Sequence, residues 1–259
     1  MSEWRLFTGQ LAGWTLGHGP RLVFVHGFTQ TGSSWKPIAA YFAASGYESI
    51  VVDQPGHGES VEVRTDLVAT AGLLTAQCGR AVYIGYSMGA RLCLHAAVLH
   101  PQLVGGLALV GASPGIADDT ERAARRESDE KLADKVERIG VEAFLDEWLA
   151  QPLFAGLHLD DEQRADRLRN SASGLATSLR LAGTGAQESL WSRLGELGMP
   201  VLAMTGEHDE KYIAIGQRIA ASVPAGRFEE IAGAGHAAHL QHPDRVITLL
   251  HAWLTAIHW

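Results

Sequence analysis

The sequence predicts an α/β protein with an eight-stranded, mostly parallel, doubly wound sheet and a helical cap inserted after the sixth strand. Short apolar runs alternate with segments of helical periodicity along most of the 259 residues, a pattern typical of parallel strands joined by crossover helices. Between residues 118 and 191 this alternation stops, and charged segments with helical periodicity replace it. At residues 85–89 a Gly-x-Ser-x-Gly sequence links an apolar run to a helical segment.

Six strands are predicted before the cap. Residues 4–7 and 13–16 flank a glycine-containing turn, which predicts an antiparallel hairpin at a sheet edge. The other four are short apolar runs of the kind found in strands buried on both faces, and they span residues 21–25, 47–52, 81–84 and 105–111. Helices are predicted from about Ser33, over 63–77 and after the serine of the Gly-x-Ser-x-Gly sequence. The apolar face of the first helix consists of Trp35, Ile38, Ala39 and Phe42.

The second half of the chain begins with the predicted cap. Four segments there have helical periodicity, and they span residues 121–139, 142–150, 160–169 and 172–182. The sheet pattern then resumes with strands at 200–205 and 227–231, a helix at 212–221 between them, and a closing helix that begins at Pro243. The predicted division is a core of residues 1–117 and 192–259 and a cap of residues 118–191.

Composition limits the classes of function. The net charge of −8 argues against general nucleic-acid binding. Two cysteines, Cys78 and Cys93, lie in apolar segments, which favours buried free thiols over a disulfide framework. Residues 1–5 contain no apolar leader and no run approaches about 18 apolar residues, so we expect a cytoplasmic protein without a membrane span. We expect no cofactor and no metal, and the sequence does not determine the oligomeric state.

The Gly-x-Ser-x-Gly sequence predicts the nucleophile. Gly85 and Gly89 lie two residues on either side of Ser87. A sharp turn from strand to helix needs small residues at those positions, because the backbones pack too closely for a Cβ. Such a turn lifts the serine Oγ above the sheet and directs the N-terminus of a helix at it. This arrangement is the nucleophile elbow of an α/β-hydrolase fold.

A serine hydroxyl needs a histidine to accept its proton, and that histidine needs a carboxylate on its other ring nitrogen. In this fold the three follow in the order serine, acid, histidine. Asp209 follows the seventh predicted strand and His236 the eighth, so both lie at carboxyl ends of strands, where ligands bind in open α/β sheets. Asp53 also ends a strand, but it precedes Ser87 and is interpreted as a carboxylate that stabilises a turn.

The same arrangement predicts an oxyanion hole, which requires two preorganised donors. The backbone N–H of Met88, at the start of the helix, is one candidate. The loop after the third strand supplies the other through the N–H of Phe28, in the sequence His26-Gly27-Phe28.

Several arginines are candidates for binding an anionic substrate. Arg91 follows Ser87 by one helical turn, on a helix expected to be packed on both sides, and a buried arginine needs an anionic partner. Arg125 lies in a predicted cap helix, where i,i+4 pairs with acidic residues also allow a solvated, salt-bridged face. Arg169 follows a leucine in another cap helix and is a candidate to point inward.

With these residues identified, the sequence resembles the 2-succinyl-6-hydroxy-2,4-cyclohexadiene-1-carboxylate synthases of menaquinone biosynthesis. The similarity runs along the whole chain and is carried by residues 85–91, 123–129, 148–155, 168–171, 183–187 and 206–212. The elbow is shared with many hydrolases, whereas Trp-x-x-Gln-Pro-x-Phe at 148–154 is much more specific. One departure is Ala90, where family members often carry a second glycine; we expect little effect from it.

The resemblance implies a lyase on a hydrolase fold. Its substrate would be 2-succinyl-5-enolpyruvyl-6-hydroxy-3-cyclohexene-1-carboxylate, from which a proton is removed beside the succinyl ketone and pyruvate is eliminated. That substrate carries three carboxylates, and the arginines at 91, 125 and 169 offer three cationic forks suited to them. By resemblance, Tyr86, Trp148 and Phe154 line the pocket.

Two alternatives remain open from the sequence. One is a hydrolase that uses the same triad on acidic esters or on carbon–carbon bonds of ring-cleavage diketones. The other is a non-catalytic ligand receptor on the same fold, which has no need to keep Ser87, Asp209 and His236 together.

Overall fold

The computed structural model describes residues 3–259; Met1 and Ser2, with which the predicted core begins, lie outside the described residues. Eight strands form one sheet in the order β1-β2-β4-β3-β5-β6-β7-β8. The first two strands run antiparallel to their neighbours, and β3 to β8 are parallel. The strands are β1 (Arg5–Leu6), β2 (Gly13–Gly17), β3 (Arg21–Val25), β4 (Glu48–Val52), β5 (Ala81–Tyr86), β6 (Val104–Val110), β7 (Val201–Gly206) and β8 (Gly226–Ile231).

Ten α-helices accompany the sheet within residues 3–259. They are α1 (Lys36–Ala44), α2 (Leu67–Cys78), α3 (Met88–Leu99), α4 (Asp119–Ile139), α5 (Val141–Leu149), α6 (Asp161–Leu168), α7 (Ala172–Ala182), α8 (Glu210–Ser222), α9 (Ala238–Gln241) and α10 (Pro243–Ala256). The fold class predicted from the sequence is confirmed. The helix predicted from residue 63 begins later, because the Asp66 carboxylate accepts a hydrogen bond from the Ala69 N–H at 2.8 Å and caps α2. The short helix α9 was not predicted.

Both faces of the sheet are buried along the central strands β3 to β7, as the continuous apolar runs predicted. Along β5, Tyr83 packs into one core cluster, whereas Ile84 packs into a second cluster on the opposite face. The predicted apolar face of α1 is fully covered: Trp35, Ile38, Ala39 and Phe42 are all at most 1% exposed. No helix of residues 3–259 has the length and apolarity needed to cross a membrane.

Helices α4 to α7 lie in the chain between β6 and β7, as the charged helical stretch predicted. Their apolar side chains form a third, smaller cluster around Phe144 and Leu175, and Phe28 of the core packs against it. An apolar cluster shared by α4, α5 and α7 lets these helices hold together although α4 is strongly charged.

The topology brings distant residues to one edge of the sheet. The carboxyl ends of parallel strands lie at the same edge, and β3, β5, β7 and β8 are all parallel. Ser87 directly follows β5, Asp209 lies three residues after β7, and His236 lies five residues after β8. Loops that are far apart in sequence therefore converge above the middle of the sheet.

Candidate active site

The turn at Ser87 is as sharp as the elbow prediction required. Ser87 has φ 50° and ψ −108°, a left-handed conformation that a non-glycine residue rarely adopts. A Cβ on Gly85 would lie 2.6 Å from the Cα of Ala90, and a Cβ on Gly89 would lie 2.5 Å from the His26 carbonyl oxygen. Both glycines are therefore required by close backbone approach, and the strained serine is held at the start of α3.

An alanine substitution at Gly89 tests this packing, and the same substitution at Gly72, in the neighbouring helix α2, is the control. We expect Gly89→Ala to lower the free energy of unfolding by at least about 1–3 kcal/mol, because the new methyl group overlaps the β3 backbone. Gly72 lies inside α2, and a Cβ there would meet nothing closer than His100 at 3.7 Å. Gly72→Ala should therefore raise the stability by about 0.5–1 kcal/mol. Urea unfolding of both variants measures the contrast, and equal effects would contradict the elbow geometry.

The three residues of the predicted triad are joined by two hydrogen bonds, both made by the histidine ring. His236 Nδ1 lies 2.6 Å from Asp209 Oδ2, and His236 Nε2 lies 3.1 Å from Ser87 Oγ. Both His236 and Asp209 are buried. An Nδ1–H that donates to Asp209 leaves Nε2 to accept the Ser87 proton, which is the arrangement needed for an activated serine or a serine–histidine base.

A glycine missed by sequence reasoning supports this histidine. Gly111 directly follows β6 with φ 59°, and a Cβ there would lie 2.8 Å from His236 Cε1. The side of the imidazole ring therefore rests against bare backbone. A glycine after a buried strand is a signal of close approach, but the sequence does not say which residue approaches.

Asp53 serves a different purpose. Its Oδ1 accepts from the Gly32 N–H at 2.7 Å, and its Oδ2 accepts from the Glu59 N–H at 2.8 Å. Burial raises the pKa of this carboxyl, while the two backbone hydrogen bonds lower it. Asp53 thus joins two loops, in agreement with its interpretation as a turn-stabilising carboxylate.

A cavity of about 350 Å³ opens at Ser87 and contains the candidate oxyanion donors in its lining. Met88 is the first residue of α3, so its N–H has no acceptor within the helix. Phe28 lines the same cavity from the loop after β3. The two residues are thus placed on the serine's side of the site, and their oxyanion role stays a prediction.

Aromatic side chains form much of the wall. Tyr86, Trp148 and Phe154 all line the cavity, where the resemblance predicted them. Trp148 packs edge-on against Phe28, with ring centroids 5.1 Å apart. The ring centroids of Phe154 and His236 are 6.2 Å apart. Trp148 and Phe154 come from the inserted helical segment, so this segment contributes directly to the surroundings of Ser87.

Two predicted arginines reach the cavity. Arg91 is buried, and its Nη1 donates to Gln187 Oε1 at 3.3 Å; it makes no ion pair within residues 3–259. Burial lowers its pKa to about 10, so it remains charged at neutral pH. Arg125 donates from Nε to Asp129 Oδ1 at 2.7 Å, and Asp129 is fixed by the Gly185 N–H. A buried guanidinium without a carboxylate partner favours an anionic ligand.

Arg169 corrects a sequence prediction, because it lies outside this cavity. It follows the last residue of α6 and donates to Glu59 Oε1 at 2.6 Å and to Asp166 Oδ1 at 3.1 Å. Lys211, which sequence reasoning missed, lines the cavity from the first turn of α8, which begins directly after Asp209. Its position two residues after the triad acid was the available signal. The positive side chains at the cavity are therefore Arg91, Arg125 and Lys211.

The described residues contain no cluster of three His, Cys, Asp or Glu side chains that could hold a metal ion. The residues around the cavity supply a serine–histidine–aspartate triad, backbone N–H groups and cationic side chains.

Comparison with known proteins agrees with this geometry. The profile of the alpha/beta hydrolase family matches residues 22–249. A 2-succinyl-6-hydroxy-2,4-cyclohexadiene-1-carboxylate synthase of Salmonella paratyphi C (strain RKS4594) is 32% identical over 239 residues, covering 89% of this chain and 92% of the relative. A Bacillus subtilis (strain 168) relative, provisionally named as the same synthase, is 36% identical over 252 residues, covering 91% and 90%.

Among solved structures, MenH from S. aureus superposes with a TM-score of 0.87 at 29% identity and covers 99% of both chains. An esterase from Thermogutta terrifontis has a TM-score of 0.80 at 22% identity, and this likeness shows the shared fold. On the family profile and the identity to the synthases, this chain belongs to the alpha/beta hydrolase family and, within it, to the 2-succinyl-6-hydroxy-2,4-cyclohexadiene-1-carboxylate synthases.

Proposed function

We propose that this chain eliminates pyruvate from 2-succinyl-5-enolpyruvyl-6-hydroxy-3-cyclohexene-1-carboxylate to form 2-succinyl-6-hydroxy-2,4-cyclohexadiene-1-carboxylate, a step of menaquinone biosynthesis. The product is the one in the names of the relatives. The observation that carries the proposal is that buried Arg91, without a carboxylate partner, lines the same cavity as Ser87. A generic esterase for neutral substrates has no use for such a cation.

The reaction is an acid–base elimination. The base is the Ser87 hydroxyl, whose proton passes to His236 Nε2 as the oxygen takes the proton beside the succinyl ketone. The electron pair of the broken C–H bond at ring carbon 2 forms the C2=C3 double bond. The electron pair of the existing C3=C4 double bond moves to C4=C5 as the C5–O bond to the enolpyruvyl group breaks. That group leaves as the enolate of pyruvate and is protonated to pyruvate. Asp209 stabilises the imidazolium that forms in between.

Charge recognition follows from the three carboxylates of the substrate. The N–H groups of Phe28 and Met88 receive the oxyanion that develops on the succinyl ketone. Arg91 and Arg125 present guanidinium groups that bind carboxylates in a planar fork. Lys211 binds the third carboxylate, the role that the sequence analysis assigned to Arg169. Entry into the cavity removes water from three charges, so each cation offsets a large desolvation penalty.

The inserted segment completes the binding site in this proposal. Residues 118–191 act as the cap, on a core of residues 1–117 and 192–259. Arg125, Trp148 and Phe154 come from the cap, whereas the triad comes from the core. The partner is thus a small polycarboxylate, held between cap and core, in a cytoplasmic enzyme.

The direct test supplies the enolpyruvyl substrate to the purified protein and follows pyruvate release. We expect turnover with this substrate and no comparable hydrolysis of a neutral aryl ester. Rapid ester hydrolysis without pyruvate release would instead establish the hydrolase alternative.

The arginines provide the next prediction. Arg91→Ala should lower kcat/KM for pyruvate release by at least about 100-fold, because a substrate carboxylate loses its buried partner. Arg91→Lys should restore only part of that loss, since an ammonium group cannot form the planar fork. Arg169→Ala is the matched control and should lower kcat/KM by less than about fivefold, as an exposed ion pair contributes at most about 1 kcal/mol. Equal losses for Arg91→Ala and Arg169→Ala would contradict the proposed orientation of the substrate.

A further inference from the structure

A second cavity of about 720 Å³ lies on the other side of Tyr86 from the triad. It opens between α6 and two core segments, residues 30–38 and 239–243. Tyr86 lies between the triad and this cavity, because its ring centroid is 5.3 Å from that of His236 and 4.2 Å from that of His239. Ser87 and the other triad residues are absent from the lining of this cavity. It is therefore a separate space that the proposed reaction does not use.

Arg167 is the central observation in this cavity. It is only 4% exposed, and its one side-chain hydrogen bond within residues 3–259 goes from Nη1 to Thr29 Oγ1 at 2.6 Å. The nearest acidic residue in sequence, Asp166, is already bonded to Thr31 at 2.6 Å and to Arg169 at 3.1 Å. Within residues 3–259 the Arg167 guanidinium therefore has no ion pair. Burial lowers its pKa to about 10, so it stays charged at neutral pH.

Further polar groups beside Arg167 are unpaired. Both ring nitrogens of buried His239 lack a hydrogen-bond partner among the described residues, although the ring is stacked on Trp35 at 4.5 Å. Burial lowers the pKa of His239 well below its usual range, so this ring is neutral. Gln30 Oε1 accepts from the Gly27 N–H and the Ser34 hydroxyl, and the Gln30 amide NH₂ has no acceptor in the described part of the chain. The inner wall thus offers donors and one full positive charge.

The catalytic cavity also contains a buried arginine that makes no ion pair among the described residues. Arg91 and Arg167 are the two buried arginines of residues 3–259, neither has an ion-pair partner there, and each lines a different cavity. An unpaired buried cation is strongly destabilising unless an anion joins it. The argument for an anionic ligand at Arg91 therefore applies equally to Arg167, and it does not depend on the elimination reaction.

The charged side chains at the cavity opening limit the charge that a ligand can carry. Acidic Asp160, Glu162 and Asp166 line the cavity together with basic Lys36 and Arg169, so the rim carries a net negative charge. A dianion such as phosphate is repelled there, whereas one carboxylate matches the single charge of Arg167 and its planar fork. Apolar side chains complete the lining, namely Pro37, Ile38, Leu240 and Pro243.

We propose that this second cavity is a binding site for a small monocarboxylate with an apolar body, whose carboxylate pairs with Arg167 and accepts from the Gln30 amide. Tyr86 then contacts both the triad histidine and the wall of the second site. A ligand at Arg167 lies one side chain away from the reacting groups without blocking the catalytic cavity.

Calorimetric titration with sodium benzoate tests the proposal, in an Arg91→Met background that removes the cation of the catalytic cavity. We expect benzoate to bind, and benzamide and inorganic phosphate to bind at least about tenfold more weakly. Arg167→Met should lower the affinity for benzoate by at least about tenfold, which is the effect of losing one charge-assisted hydrogen bond. Arg164→Met is the matched control on the same helix. It pairs with Asp146 outside the cavity and should leave benzoate affinity unchanged.

Two more variants separate ligand binding from a purely structural role of Arg167. Thr29→Val removes the Arg167–Thr29 hydrogen bond but keeps the cation, so benzoate binding should persist. Ala165→Trp fills the cavity from the exposed face of α6 and should abolish binding even if Arg167→Met does not fold. Absence of benzoate binding, stronger binding of phosphate, or equal affinity in Arg167→Met or Ala165→Trp would overturn the assignment. The pyruvate-release assay in the wild-type protein tests the elimination reaction separately.

Discussion

Replacing Ser87 with alanine is expected to lower the rate of pyruvate release by at least about 10⁴-fold while leaving the fold intact. The hydroxyl is the group that meets both His236 and the cavity, and no other hydroxyl is hydrogen-bonded to His236 among the described residues. Ser87→Ala removes one oxygen from the surface of a cavity, so the free energy of unfolding should change by less than about 1 kcal/mol. Steady-state pyruvate release and urea unfolding measure the two effects.

The covalent state of Ser87 during turnover separates elimination from hydrolysis. An acyl-transfer enzyme forms a covalent ester on its serine, whereas the elimination proposed here does not. Mass spectrometry of the wild-type protein during turnover should therefore show an unmodified Ser87. Near wild-type pyruvate release by Ser87→Ala would refute both the triad and the mechanism, and an acylated Ser87 would assign the protein to the hydrolase alternative.

Asp209→Asn should have the second largest effect, a loss of turnover approaching about 10⁴-fold if this triad behaves like that of serine proteases. The Asp209 carboxylate is buried and lies 2.6 Å from His236 Nδ1. An asparagine amide can present its NH₂ to the ring, which favours the tautomer whose Nε2 carries a proton and cannot accept one from Ser87. The imidazolium also loses its charged partner. Measuring kcat at saturating substrate isolates this effect from binding.

Asp53→Asn is the control for that substitution, because Asp53 is the other buried carboxylate that follows a strand. Its two oxygens accept from the Gly32 and Glu59 N–H groups. Asparagine keeps one accepting oxygen, but its NH₂ faces the other N–H and cannot accept from it. We expect Asp53→Asn to lower stability by about 1–3 kcal/mol while folded protein keeps most of its turnover. A larger loss of kcat in Asp53→Asn than in Asp209→Asn would show that the wrong acid was assigned.

The sequence by itself determined the sheet and the order of the reacting residues. Apolar runs such as 21–25 can only be buried on both faces, so the strand Arg21–Val25 was predicted with its observed bounds. The glycines at 85 and 89 determined the turn at Ser87, since no Cβ fits there. Once strand ends were known, parallel topology placed Asp209 and His236 at the same edge as the serine. These features follow from local periodicity and steric rules.

Only the tertiary structure decided which arginines reach the cavity at Ser87 and which are buried. Residues two apart on a helix point to nearly opposite sides, so Arg167, in the last turn of α6, is buried, whereas Arg169, directly after the helix, is exposed. The sequence of α6 is strongly charged and has too few apolar residues to show which side is covered. Contacts with Thr29 and Glu59, more than 100 residues away in the chain, bury Arg167 and leave Arg169 at the surface. Such long-range packing also placed Gly111 against His236, and the sequence around Gly111 does not show which residue approaches it.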